Sequence, residues 1–174
     1  MTKLETHPRS RHMNPSLYTW WEHSSEYLAQ FALWNLSGQM VGYYNYRPNG
    51  DKHLPNDAWN GKYFTRFQFG LVGVWGMETW KFSNTLFVTE GLFDAARLSS
   101  HGVSAVATMS NNPKHLTGLF KLFRSFRPVV AVCDGDSAGK LLSKFGHVSY
   151  TMSDDHDVNS ASEEEVQYVL NTFK

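Results

Sequence analysis

From residue 86 onward, short strand-like runs alternate with stretches of helical spacing. The runs are Leu86–Thr89, Val103–Thr108, Pro128–Cys133 and His147–Thr151. Between them lie three expected helices. The first runs from Leu92 to Ser100 and is closed by His101-Gly102. The second, Lys114–Phe126, carries Leu116, Leu119, Phe120, Phe123 and Phe126 on one stripe, and the third is a short helix over Ser137–Phe145. Ser162-Glu163-Glu164-Glu165 then reads as a capping box opening a last helix, with Val166, Val169, Leu170 and Phe173 on its buried face. A helix-length connection between successive strands implies parallel pairing, with helices covering both faces of the sheet. Pro128–Cys133 is nearly all apolar, as a strand buried on both faces must be, and is expected to be central.

Before residue 83 the texture differs. Asn14-Pro15 starts a short helix with proline at its first position. Phe31–Leu36 and Met40–Tyr46 flank Ser37-Gly38-Gln39 as a hairpin, Arg47-Pro48-Asn49-Gly50-Asp51 is a turn, and Lys62–Phe69 is a further strand. Trp20 and Trp21 are expected in the core. The expected organisation is a small, mostly antiparallel α+β subdomain over 1–83 and an α/β domain over 84–174.

Of the 174 residues, 41% are apolar and 18% charged, which fits a folded chain and excludes disorder. No apolar run reaches the roughly 18 residues of a membrane span, and the first sixteen residues lack the apolar centre of a secretory signal. A single cysteine, Cys133, excludes an internal disulfide and a cysteine-rich zinc site. The expected location is therefore the reducing cytoplasm, with no membrane partner. Net charge is zero, which argues against a purely electrostatic nucleic-acid binder. Six of the sixteen acids nevertheless fall in residues 151–174 against Lys174 alone, so the rest of the chain carries a basic excess.

Ligands of open parallel sheets collect outside the carboxyl ends of the strands, and acids stand at three such ends. Glu90 follows the first run, with Asp94 one helical turn on. Asp134 and Asp136 follow the third, in Cys133-Asp134-Gly135-Asp136. Asp155 and Asp157 follow the fourth, in Asp154-Asp155-His156-Asp157-Val158-Asn159. Carboxylates crowded at one rim repel unless a cation neutralises them. Oxygen donors of this kind suit Mg²⁺ or Mn²⁺, which bridge to phosphate. An isolated acid after a strand is ordinarily a cap or a solvated loop residue; three groups on one sheet point to a site.

This combination resembles the Toprim domain, shared by bacterial-type primases, type IA and type II topoisomerases, OLD-family nucleases and small ribosomal-RNA maturases. Its pattern is a glutamate after one strand and Asp-x-Asp after a later one, here Glu90 and Asp134-Gly135-Asp136. Within the family the likeness is to primases. Glu90-Gly91-Leu92-Phe93-Asp94-Ala95 is similar to the primase Glu-Gly-x-x-Asp segment, and Asp134-Gly135-Asp136-Ser137-Ala138-Gly139-Lys140 to its Asp-Gly-Asp-x-Ala-Gly-basic segment. Asp157-Val158-Asn159 resembles the further metal-side motif. In the first half, Phe31 to Tyr43 resembles the hairpin that precedes Toprim in primase cores, and Lys62-Tyr63-Phe64-Thr65 and Leu71 to Gly76 resemble segments that follow it. The chain departs from full-length primases in having no Cys/His zinc-binding domain, no helicase P-loop and little of the C-terminal helical part. It looks like a minimal core of the kind phages use.

The resemblance implies a Toprim, Rossmann-like parallel sheet flanked by helices. It implies a DNA primase-like nucleotidyltransferase, with DNA-directed RNA polymerase activity, that makes RNA primers for DNA replication. Glu90, Asp134 and Asp136 would be catalytic. Glu90, Asp94, Asp134, Asp136, Asp157 and Asn159 would hold Mg²⁺ or Mn²⁺. Single-stranded DNA template and nucleoside triphosphates are the expected partners, with a replicative helicase beside them. Arg47, Lys62, Arg66 and Lys140 are the candidate nucleotide and nucleic-acid contacts; the first three, with Lys52 and Lys81, lie among tyrosines and phenylalanines, as single-strand binding favours. Two other readings stay open: a metal-dependent nuclease on the same scaffold, and a non-catalytic nucleic-acid or partner-binding module. His156 reads as a solvated loop residue and Cys133 as a buried strand thiol.

Overall fold

Two four-stranded sheets build the molecule, and they differ in how their strands are joined. The structure, a computed structural model, describes residues 3–173 except 53, 55, 56, 82, 83, 111, 137, 138, 154 and 155. After helix α1 (Lys3–Ser10), strands β1 (Trp20–His23), β2 (Leu28–Trp34), β3 (Met40–Tyr46) and β4 (Tyr63–Phe67) form an antiparallel sheet in chain order. The β2–β3 hairpin closes where Asn35 Oδ1 accepts from the amides of Ser37 and Gln39 and Gly38 takes a φ of 72°, a backbone angle that glycine adopts without steric cost.

The second sheet contains β5 (Leu86–Thr89), β6 (Ser104–Ala107), β7 (Val129–Cys133) and β8 (Val148–Thr151), all parallel, in the order β6-β5-β7-β8. Helices α2 (Leu92–Ser100) and α3 (Thr117–Phe126) make crossovers, and α4 (Glu163–Phe173) ends the chain. Strand alternation divides the core. Leu86, Val88, Val106, Val129, Ala131 and Cys133 face α3 and the Gly139–Phe145 turn. Phe87, Ala105, Ala107, Val130 and Val132 face α2, α4 and the inner face of the antiparallel sheet, where Phe31, Tyr44 and Tyr46 pack. The expected fold class is therefore the one the chain adopts, with helices on both faces of the parallel sheet.

Val74 and Trp75 tie the two sheets together. Val74 exchanges both backbone hydrogen bonds with Trp34 at the end of β2, at 2.9 and 3.0 Å. Trp75 exchanges both with Ala107 at the end of β6, at 3.1 and 3.0 Å. Trp75 is fully buried against Tyr18, 4.3 Å between ring centroids, and edge-on to Phe31. Gly73 is required beside this stitch: a β-carbon there would lie 2.5 Å from the Trp34 carbonyl oxygen.

Several local expectations change. α1 and β1 carry no apolar period strong enough to announce them. Adjacent strand residues face opposite ways, so Trp20 packs on Phe31 while Trp21 is 41% exposed. The Asn14-Pro15 start is a 3₁₀ turn, Pro15–Leu17. β4 stops at Phe67, because Leu71 N–H bonds to the Gln68 carbonyl and Gly70 takes a φ of 74°. Gly139–Phe145 is 3₁₀ rather than α; it is bounded by glycines, which favour α-helix poorly. Ser137 and Ala138, and the expected boundary near residue 83, fall outside the described residues. Among the described residues no helix is long and apolar enough to cross a membrane.

Candidate functional site

Because β5, β7 and β8 are parallel neighbours, the loops that leave them share one rim. That rim faces the antiparallel sheet across a cleft of about 360 Å³. Glu90, Asp94, Asp134 and Asp157 line the cleft together with Arg11, Lys52, Tyr44, Tyr63, Thr65 and Met109. Asp136 is exposed and lies outside the cleft lining, though its charge acts on Glu90 and Asp134. Asp155 falls outside the described residues.

Burial and mutual repulsion raise the proton affinity of Glu90, Asp94 and Asp134. The Glu90 carboxyl is pushed up to about 7, first by desolvation and then by Asp134 and Asp136. Asp134 is pushed up to about 6 by desolvation, then by Asp157 and Asp136. Asp94, 6% exposed, is held well above its ordinary range by burial and then by Asp157 and Asp134. Desolvation disfavours the charged form and a nearby like charge adds to it, so both causes act in one direction here.

The loop geometry holds these acids in place. Glu90 carbonyl accepts from Met109 N–H at 2.9 Å, and Met109 takes a left-handed φ of 61° to reach it. Asp94 Oδ2 would lie 2.5 Å from a β-carbon at position 91, so Gly91 is what lets the Asp94 carboxylate close on the strand end. Asp94 Oδ1 accepts the Asn159 N–H at 2.9 Å. Asn159 is held on every side: its Oδ1 accepts from Arg11 Nε, and its amide donates to the carbonyls of Arg11 and Phe93. Arg97, buried under this loop, donates from Nη1 to the carbonyls of Val158 and Ala161 at 2.8 Å and pairs through Nη2 with Glu163. Asp157 Oδ1 accepts from the amide and the hydroxyl of Ser160. The Gly135 N–H bonds to the His156 carbonyl, tying the Asp134 loop to the Asp157 loop.

The expected basic contacts distribute differently. Arg47 is 9% exposed and committed, donating to the Trp59 carbonyl at 2.7 Å and pairing with Glu26 at 3.2 Å. Arg66 alternates away from Tyr63 and Thr65 on β4 and lines a separate groove with Tyr43 and Phe67. Lys62 lies beside the Tyr63 ring, 6.0 Å from its centroid, and Lys140 is exposed beyond the Asp136 loop. None of these four lines the acidic cleft. Arg11, over the Phe93 ring at 4.7 Å, and Lys52 do. No motif marks Arg11; only the long-range packing of the first segment brings it here. Opposite the acids, Tyr63 stacks on Tyr44 and Tyr46 at 6.0 and 5.7 Å.

Among the described residues, no three His, Cys, Asp or Glu side chains converge closely enough to hold a metal ion as they stand. In donor type the rim does fit a divalent cation: every acid on it offers hard oxygen, and their repulsion is the kind such an ion relieves.

No family model and no curated protein sequence matches the chain. Solved structures do match. The DnaG catalytic core shares the fold at a TM-score of 0.69 and 14% identity, over 99% of this chain and 73% of that one. The zinc-binding and RNA polymerase domains of Aquifex aeolicus primase match at 0.64 and 17%, over 98% and 55%. A DnaG primase catalytic domain bound to single-stranded DNA matches at 0.59 and 17%, over 84% and 53%. The chain thus has the fold of a DnaG-type primase catalytic core. It spans 55% of the Aquifex primase fragment.

Proposed function

We propose that the chain is a metal-dependent nucleotidyltransferase of the primase kind, making RNA primers from nucleoside triphosphates on a single-stranded DNA template. One observation carries this reading: four carboxylates from three parallel strand ends face two cations and stacked tyrosines across one cleft. Glu90, Asp134 and Asp136 would hold Mg²⁺ or Mn²⁺, with Asp94 and Asp157 beside them and Asn159 bracing their loop. The ion supplies charge neutralisation on the triphosphate and acidifies the attacking hydroxyl. Arg11 and Lys52 draw the polyanion into the cleft, where carboxylates alone would repel it. Tyr63, 42% exposed, walls the cleft with flat apolar surface of the kind bases stack on, and Tyr44 stacks behind it. The single-stranded DNA held by one structural neighbour supports the choice of template.

The test is incubation of the chain with labelled nucleoside triphosphates, single-stranded DNA and Mg²⁺ or Mn²⁺. Labelled oligomers are expected. Degraded DNA without oligomers would make the chain a nuclease, and binding without either product would make it a non-catalytic module.

A further inference from the structure

Another concave surface lies on the face of the parallel sheet that α3 covers. It is a groove of about 290 Å³ between α3 and the Gly139–Phe145 turn. Its cations are Lys114, Lys121, Arg124 and Lys144, and no carboxylate lines it. The ion pairs among the described residues involve none of these four. Phe120 and Phe145 meet edge to face at 5.3 Å to form its floor, and Leu141 stands half-exposed at its lip.

Of the three cations on or beside α3, only Arg124, in the last turn, stands where the helix dipole favours it. Lys114 sits just before α3, where the helix dipole disfavours a cation. Lys121 and Arg124 are three residues apart, so two like charges crowd one turn. From Ala95 to Cys133 the chain has no acidic residue at all, although its net charge is zero. Six of the sixteen acids lie between Glu5 and Glu78, and the other ten are Glu90, Asp94 and those from Asp134 onward. A concentrated cationic groove in a neutral protein calls for an anionic partner.

The floor decides which anion. Phe120 and Phe145 are 1% and 8% exposed, so no ring face is open to a stacking base, and stacking is what single-strand binding adds to charge; the aliphatic Leu141, 36% exposed, is open to an apolar side chain. An open aliphatic side chain ringed by cations fits a peptide that sets one apolar side chain among carboxylates. We propose that this groove docks an acidic segment of a partner protein, seating one apolar side chain against Leu141 while the four cations hold carboxylates at the rim. The cleft and its chemistry play no part in this binding.

The experiment is fluorescence anisotropy, without divalent metal, using a fluorescein-labelled peptide that carries two aspartates on each side of one phenylalanine. Saturable binding is expected, weakening as salt rises. Changing every aspartate to asparagine, changing the phenylalanine to serine, or introducing Lys121→Glu with Arg124→Glu should each weaken binding about tenfold or more. Both substituted positions are exposed, and an unchanged thermal melt shows that the doubly substituted chain folds. Absence of binding, or binding indifferent to these changes, overturns the proposal. So does a variant that loses affinity for labelled oligo(dT) in place of the peptide, which would make the groove a nucleic-acid surface.

Discussion

The two walls of the cleft are built by different rules. The acidic wall comes from loops that leave parallel strands, so its residues sit at fixed offsets from apolar runs and cluster because the strands are neighbours. The facing wall draws Arg11 from the first segment, Lys52 from a loop, Tyr44 from β3, and Tyr63 and Thr65 from β4. Chemistry placed by a strand end leaves a local signature. Chemistry placed by packing of distant segments leaves none, and strand alternation then decides which side chains take part.

Substitutions on the two walls should therefore fail in different ways. On the acidic wall, Glu90→Gln and Asp134→Asn are each expected to lower primer synthesis roughly 100-fold or more, the scale seen when charge stabilisation of a transition state is lost. Metal-free melting should be unchanged or slightly higher, because a buried, repelled charge has gone, and the rise in melting temperature with Mn²⁺ should shrink. Full synthesis by both variants would remove the acidic wall from the chemistry.

On the facing wall, Arg11→Ala and Lys52→Ala should each weaken oligo(dT) binding about tenfold at low salt and less at high salt, as counterion release requires. Arg66→Ala, on the other face of β4, should change it little, with Lys62→Ala in between. Anisotropy at two salt concentrations reads this order, and an equal loss in all four variants would erase the distinction between the faces. Asn159→Asp tests the brace between the walls. The new carboxylate cannot donate to the Arg11 and Phe93 carbonyls and stands beside Asp94, so denaturant unfolding should show a loss of about 1 kcal/mol or more. An increase in metal affinity with no such loss would make position 159 part of the ion site.

The smallest effect is a pH slope. Glu90 and Asp134 bind protons more tightly in the fold, with values of about 7 and about 6, than at their ordinary 4.5 and 3.8. The folded state thus holds more protons than the unfolded state across that window, so their contribution to stability falls as pH rises through it. Metal-free melting should drop by about 2 °C between pH 6 and pH 8, and Glu90→Gln should flatten the drop.

Much of the parallel sheet was legible because β5, β6 and β7 are buried on both faces and read as mostly apolar runs, whereas β8 is a largely exposed edge strand. Glu90, Asp134 and Asp157 could be placed at one rim for the same reason, since strand ends fix the offsets. The antiparallel half was harder. Its hairpin announced itself through Ser37-Gly38-Gln39, but β1 carries only four residues and alternates an inward Trp20 with an outward Trp21. Arg47 looked available as a cation in a turn, and only the fold shows it spent on Glu26 and the Trp59 carbonyl. Glu165 was legible as the end of a capping box, yet only half the box forms. Its amide bonds to Ser162 Oγ, while its carboxylate turns to Ser153 and Tyr150 and fastens the loop after β8.

The Val74–Trp75 stitch has a consequence for how the molecule opens. Four amides, on Trp34, Val74, Trp75 and Ala107, are bonded in a chain that crosses from one sheet to the other. Exposing any one of them to solvent deuterium means parting both sheets around a buried indole, which is close to global unfolding. These amides should exchange last and together, at a single rate, as one cooperative unit. The width of the cleft is then a property of the folded state itself, set before anything binds there.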